Sequence, residues 1–127
     1  MKTKIVTFGE ILLRISKPEY QRLFQGHRML GNYGGSEANT AISLACMGDN
    51  VEYVTRLPHG AMGEAALMHL REFCLKVSHV VRGGERLGTY YFEEAVAMRN
   101  SHVIYDRKNS AMYSLKRGMI DWEKVFA

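Results

Sequence analysis

Residues 34–39 read Gly34-Gly35-Ser36-Glu37-Ala38-Asn39, a glycine pair set directly before a run with helical spacing. Ala38, Ala41, Ile42 and Ala45 recur at i, i+3, i+4 and i+7, and Gly48 stands where a helix commonly stops. With Ser36 as N-cap, the first amides of that helix would point back at the glycines. Glycines carry no Cβ, so a ligand can approach the main chain closely there. A helix start with free amides favours anionic or oxygen-rich groups. The same letters also describe a plain glycine turn leading into a packed helix. Elsewhere the chemistry is thinner. His27, His59, His69, His79 and His102 show no metal-ligand spacing, and none stands beside an evident nucleophile.

The elements that must position this motif follow from periodicity. Ile5-Val6-Thr7-Phe8 reads as a buried first strand ended by Gly9, and residues 11–15 as a second extended run stopped by Lys17-Pro18. Residues 28–30 offer a further strand before the glycine-rich 31–35. A helix over 36–47 precedes an alternating strand at 51–55, and a second helix runs over roughly 62–74 with Ala66, Leu67, Leu70 and Phe73 or Cys74 as its apolar stripe. Strands are expected at 77–81, 89–92 and 102–105. Strand, helix, strand, helix, strand is the order of a parallel α/β layer. The pairs 11–15 with 28–30 and 89–92 with 102–105 lack helices between them, which suits a separate antiparallel sheet. Ile120, Trp122, Val125 and Phe126 form a last apolar, helical run that calls for something to cover it.

Composition limits the partners. The 127 residues are 46% apolar and 24% charged, the range of soluble globular domains with a real core. The net charge of +4 is spread out, with no basic run longer than a pair, so no nucleic-acid footprint is expected. Cys46 and Cys74 have no CxxC spacing and sit in apolar helical patterns, so buried, reduced thiols are expected. No apolar stretch reaches membrane-spanning length, and a cytoplasmic protein is the expectation.

Gly34, Gly35, Asn39, Ala41 and Gly48, set behind Phe8-Gly9-Glu10, resemble the first signature of the ribokinase-like (PfkB) carbohydrate kinases. The resemblance covers nearly the whole chain. Residues 88–92 (Gly88-Thr89-Tyr90-Tyr91-Phe92) and 103–111 are most similar to the 2-keto-3-deoxygluconate kinases of that family. It implies the N-terminal part of a three-layer α/β/α fold, with a small antiparallel β lid from about 11–33 and 88–107. It also implies transfer of the ATP γ-phosphate to a hydroxyl of a sugar acid, with Mg²⁺, and a homodimer through lid strands or exposed apolar surface. Residue by residue, it places Gly34, Gly35, Ser36, Glu37, Ala38 and Asn39 along the sugar-acid pocket, and Tyr90, Tyr105, Asp106 and Arg107 on the lid above it. The residue types agree: Arg107 offers a fork of donors for a carboxylate, and the tyrosines combine an apolar ring with a hydroxyl. Each has a plainer reading as strand packing or a surface pair. Glu10 would either meet a substrate hydroxyl or cap a neighbouring helix.

The chain departs from the family pattern at several points. His59-Gly60-Ala61-Met62-Gly63 lacks the Asp many relatives carry there, Cys74 and Lys76 replace a Gly and an Asp, and Asp106 stands where relatives carry an aromatic. The family's catalytic base lies in a later Gly-Ala-Gly-Asp segment, which does not occur in these residues; nor does a Gly-x-x-x-x-Gly-Lys-Ser/Thr phosphate loop. The expectation is therefore the N-terminal, substrate-and-lid portion of a sugar-acid kinase, without the C-terminal ATP-binding half. Alone it should hold no catalytic residue, bind neither ATP nor metal well, and be inactive. The alternatives are a non-catalytic sugar-acid-binding or self-associating module and, less favoured by the charge pattern, a small basic nucleic-acid binder.

Overall fold

The computed structural model describes residues 3–127. The elements are β1 (Lys4–Phe8), β2 (Leu12–Ser16), β3 (Leu30–Gly34), α1 (Ser36–Cys46), β4 (Asn50–Val54), β5 (Arg56–Leu57), α2 (Ala61–Glu72), β6 (Val81–Arg82), β7 (Thr89–Glu93), β8 (His102–Asp106) and α3 (Trp122–Phe126). β1 pairs parallel with β4, from Lys4 opposite Asn50 to Phe8 opposite Val54. β5 pairs parallel with β6.

The β1–β4 sheet is covered on both faces. Val51 and Tyr53 pack with Ala38 and Ala41 of α1 and with Ala66, Leu67 and Leu70 of α2. Val54 turns the other way and packs with Ile120 and Val125. Period-two alternation along β4 thus feeds two layers. Trp122 meets Phe8 edge-on at 5.1 Å and stacks near Phe126 at 5.9 Å. Phe126 stays 67% exposed, so the last apolar run is covered at Ile120 and Val125 and open at Phe126.

The lid is a four-stranded sheet in the order β3-β2-β7-β8. It is mixed where an antiparallel sheet was expected: β2–β3 and β7–β8 are antiparallel, but the central pair β2–β7 is parallel. Between β3 and β7 the chain runs through α1, β4, β5, α2 and β6, and β7 enters the lid in the same direction as β2. β3 also sits later than residues 28–30. Gly31, Asn32 and Gly34 read as turn formers, yet pairing with β2 holds them extended.

Two further expectations are corrected. The strand expected over 77–81 is replaced by a bridge at Lys76, a turn closed by Val80 N–H on the Val77 carbonyl, and the short β6. The buried Glu52 carboxylate accepts from the His79 amide (3.3 Å) and pairs with His79 Nδ1 (3.1 Å), which holds this stretch out of the ladder. Cys46 and Cys74 are exposed, not buried. One ends α1 and the other lies past α2 at φ 59°, so neither reaches the apolar stripe.

Candidate functional site

The start of α1 is open rather than packed away. Its N-cap is Gly35 at φ 143°, and no side chain caps it, so Ser36 is the first helical residue and not the cap. The first helical hydrogen bond is Asn39 N–H to the Gly35 carbonyl at 2.8 Å. The amides of Ser36, Glu37 and Ala38 precede it and have no partner within the helix. Ser36, Glu37 and Asn39 are exposed, whereas Ala38 is buried in the core and lines nothing. A Cβ on Gly35 would strike the Glu10 carbonyl, and one on Gly34 would strike the Tyr90 hydroxyl. Both glycines therefore permit a close approach that any side chain would block.

The lid places its contribution by strand alternation. Asn32, Arg14, Tyr90 and Tyr105 are successive partners across β3, β2, β7 and β8, so they share one face of the sheet. The Tyr90 and Tyr105 rings lie 5.8 Å apart, and the Arg107 guanidinium lies 5.8 Å from the Tyr105 ring. Asp106 points to the opposite face, where it pairs with Arg86 at 2.7 Å. The structure therefore leaves Asp106 and Ala38 outside the cleft that Gly35, Ser36, Glu37, Asn39, Tyr90, Tyr105 and Arg107 enclose.

That cleft consists of two depressions sharing Leu12, Gly35, Ser36 and Tyr105. The smaller, ≈ 160 Å³, adds Glu10, Glu37 and Arg107. The larger, ≈ 380 Å³, adds Arg14, Asn39, Tyr90, Phe92 and Val103, enough room for a six-carbon sugar acid. A third depression of ≈ 420 Å³ lies by Pro58, His59 and Thr89, against the face of β7 away from Tyr90, without the same convergence of donors.

Glu10 caps no helix and is instead an ion-pair partner within the cleft. It is buried, and its carboxylate takes Arg107 Nε at 2.7 Å and Ser110 Oγ at 2.6 Å. Ser110 in turn accepts the Tyr113 amide at 3.2 Å. The fork of Arg107 is thus partly engaged within the chain. Arg14 was missed altogether; its signal was the alternation of Leu12 and Arg14 in a strand that could pair with residues 88–92.

The pfkB family carbohydrate kinase model matches residues 2–126. The chain belongs to the pfkB family of carbohydrate kinases. Among its pfkB relatives, a 2-dehydro-3-deoxygalactonokinase from Haloferax volcanii is 32% identical over 88% of this chain and 35% of its own length. A 2-dehydro-3-deoxygluconokinase from Bacillus subtilis is 29% identical over 91% of this chain and 36% of its own. The crystal structure of a 2-dehydro-3-deoxygluconokinase from Thermotoga maritima superposes with a TM-score of 0.93 at 48% identity, over 96% of this chain and 37% of that one. The chain therefore spans about a third of the length of the pfkB kinases it matches.

A sugar kinase from Pyrococcus horikoshii with a similar fold, 18% identical with a TM-score of 0.83, has been crystallised in complex with ATP. The residues present do not make a complete site for it or for its metal. The sequence holds no Gly-Ala-Gly-Asp segment, and among the described residues no three His, Cys, Asp or Glu side chains stand together as a metal site. No phosphoryl-transfer step is therefore assigned to this chain's residues.

Proposed function

We propose that residues 1–127 form the substrate-binding and lid portion of a kinase that phosphorylates a hydroxyl of a sugar acid such as 2-keto-3-deoxygluconate, and that this chain alone does not turn over. The observation that carries the reading is the convergence of an uncapped helix start with Tyr90, Tyr105 and Arg107 on one cleft. Main-chain amides suit the oxygen-rich end of the substrate. The tyrosine rings cover its carbon skeleton while their hydroxyls, with Asn39, exchange hydrogen bonds with its hydroxyl groups. Relatives named for 2-dehydro-3-deoxy sugar acids support that substrate class. ATP with Mg²⁺ would be the phosphoryl donor of the longer family enzyme. A homodimer in the cytoplasm belongs to the same reading; among the described residues no helix is long and apolar enough to cross a membrane.

One second reading is a non-catalytic sugar-acid-binding or self-associating module, which the exposed Ile104 and Phe126 side chains favour. Calorimetric titration with 2-keto-3-deoxygluconate, with and without ATP and Mg²⁺, addresses the first claim. Weak binding that ignores ATP is expected, and no binding at millimolar ligand would refute the substrate reading. A coupled assay tests the second claim: steady phosphorylation by this chain alone would overturn its assigned inactivity.

A further inference from the structure

Arg86 stands outside the cleft, yet it holds the segment from which Arg107 enters it. It lines the third depression, by His59 and Thr89, on the lid face away from Tyr90. Its Nη2 donates to the Asp106 carbonyl at 2.9 Å and to the Lys108 carbonyl at 3.0 Å, and its Nε donates to the Lys108 carbonyl at 3.1 Å. The carbonyl between them, that of Arg107, accepts the Ser110 amide at 3.1 Å. Three consecutive carbonyls are thus fixed where the chain leaves β8 and turns through Asn109 at φ 59°. The main chain of Arg86 is anchored in turn, its carbonyl accepting the Ala111 amide at 2.7 Å. Arg107 is half exposed, and its one side-chain hydrogen bond among the described residues runs from Nε to Glu10. Its place therefore depends on the main chain that carries it.

We propose that Arg86 is a positioning residue for sugar-acid binding: it touches no ligand, and its fork sets the main chain of residues 106–108 so that Arg107 projects into the cleft. This rests on reading the cleft as a sugar-acid site. The ion pair of Arg86 with Asp106, at 2.7 Å, is a partly exposed surface contact and contributes little by itself. The bonds to the two carbonyls carry the role. They need a planar, charged fork, which neither a lysine ammonium nor a glutamine amide reproduces.

The test titrates 2-keto-3-deoxygluconate into the intact chain and into Arg86→Gln, Arg86→Lys and Asp106→Asn, and follows the Arg107 Nε–Hε resonance, which reports its bond to Glu10. R86Q and R86K should each weaken binding at least about fivefold and shift that resonance. D106N keeps an acceptor for the fork, so it should leave affinity within about twofold and the resonance in place. R86K matching wild type, or D106N failing as badly as R86Q, would make the charge pair the operative contact and overturn the proposal. So would a lower thermal midpoint in R86Q with affinity and the Arg107 resonance unmoved, the mark of a purely structural arginine; in either case the sugar-acid reading stands. A wild-type chain that does not bind the acid overturns that reading and this one with it. Should the Arg86 variants fail to fold, the wild-type chain decides, because coupling is reciprocal: the Arg86 Nε–Hε resonance should move when the acid binds on the other face of the lid, and an unmoved resonance refutes the proposal.

Discussion

Burial holds the phenol proton of Tyr53 well above the range in which an exposed tyrosine releases it, with Glu37 and Glu10 pushing the same way and the Thr55 hydroxyl opposing. The ring is fully buried in β4, and its hydroxyl donates to the Gly9 carbonyl at 2.9 Å. That bond ties β4 to the turn carrying Glu10, so one core tyrosine supports the floor of the cleft. The sign of the pH effect follows. An unfolded tyrosine ionises near pH 10 while the folded one keeps its proton, so the stabilisation is complete below about pH 10 and declines above it. Tyr53→Phe should cost about 1 kcal/mol at neutral pH through the lost hydrogen bond. It should also flatten the alkaline fall in stability. Urea melts at pH 7.5 and pH 10.5 check both; an unchanged alkaline slope in Y53F would assign the effect to another group.

At the scale of elements, the turn from β3 into α1 separates folding from binding. Gly35 is at φ 143° with the Glu10 main chain against it, so Gly35→Ala adds backbone strain to a collision that cannot relax. It should destabilise by about 2 kcal/mol or more, read as a lower thermal midpoint. Gly34 meets only the tip of Tyr90, which can swing aside. Gly34→Ala should keep the midpoint nearly unchanged and weaken sugar-acid binding by displacing that hydroxyl; unchanged binding would remove Tyr90 from the ligand's surroundings. This turn was legible in the sequence because glycines and a helical period are local signals. β3 was placed too early because its strand character comes from pairing with β2, which outweighs the turn propensity of Gly31, Asn32 and Gly34. The Glu10–Arg107–Ser110 cluster spans 97 and 100 residues of sequence, so only the fold brings it together.

For the whole molecule, the lid's far face carries the most readable surface. Gly31, Ile15, Tyr91 and Ile104 are successive partners across the four strands, forming an apolar row on the side away from the cleft. Ile104 is 44% exposed and Ile15 and Tyr91 are half-buried, so the row is left partly in water. A flat apolar row on a sheet is self-complementary under a two-fold axis, which supports association of lids in a homodimer. Phe126 and Trp122 beside β1 offer a competing surface, because β1 has β4 as its one strand partner among the described residues. The two can be told apart by placing one charge in each. In a two-fold lid dimer Ile104→Lys acts twice, and losing two partly buried isoleucines costs about 3 kcal/mol, a dissociation constant more than a hundredfold weaker. Sedimentation equilibrium should therefore show a dimer for the wild-type chain and a monomer for I104K, with Phe126→Ser still dimeric. The reverse result, a monomeric F126S and a dimeric I104K, would move the interface to the β1 edge.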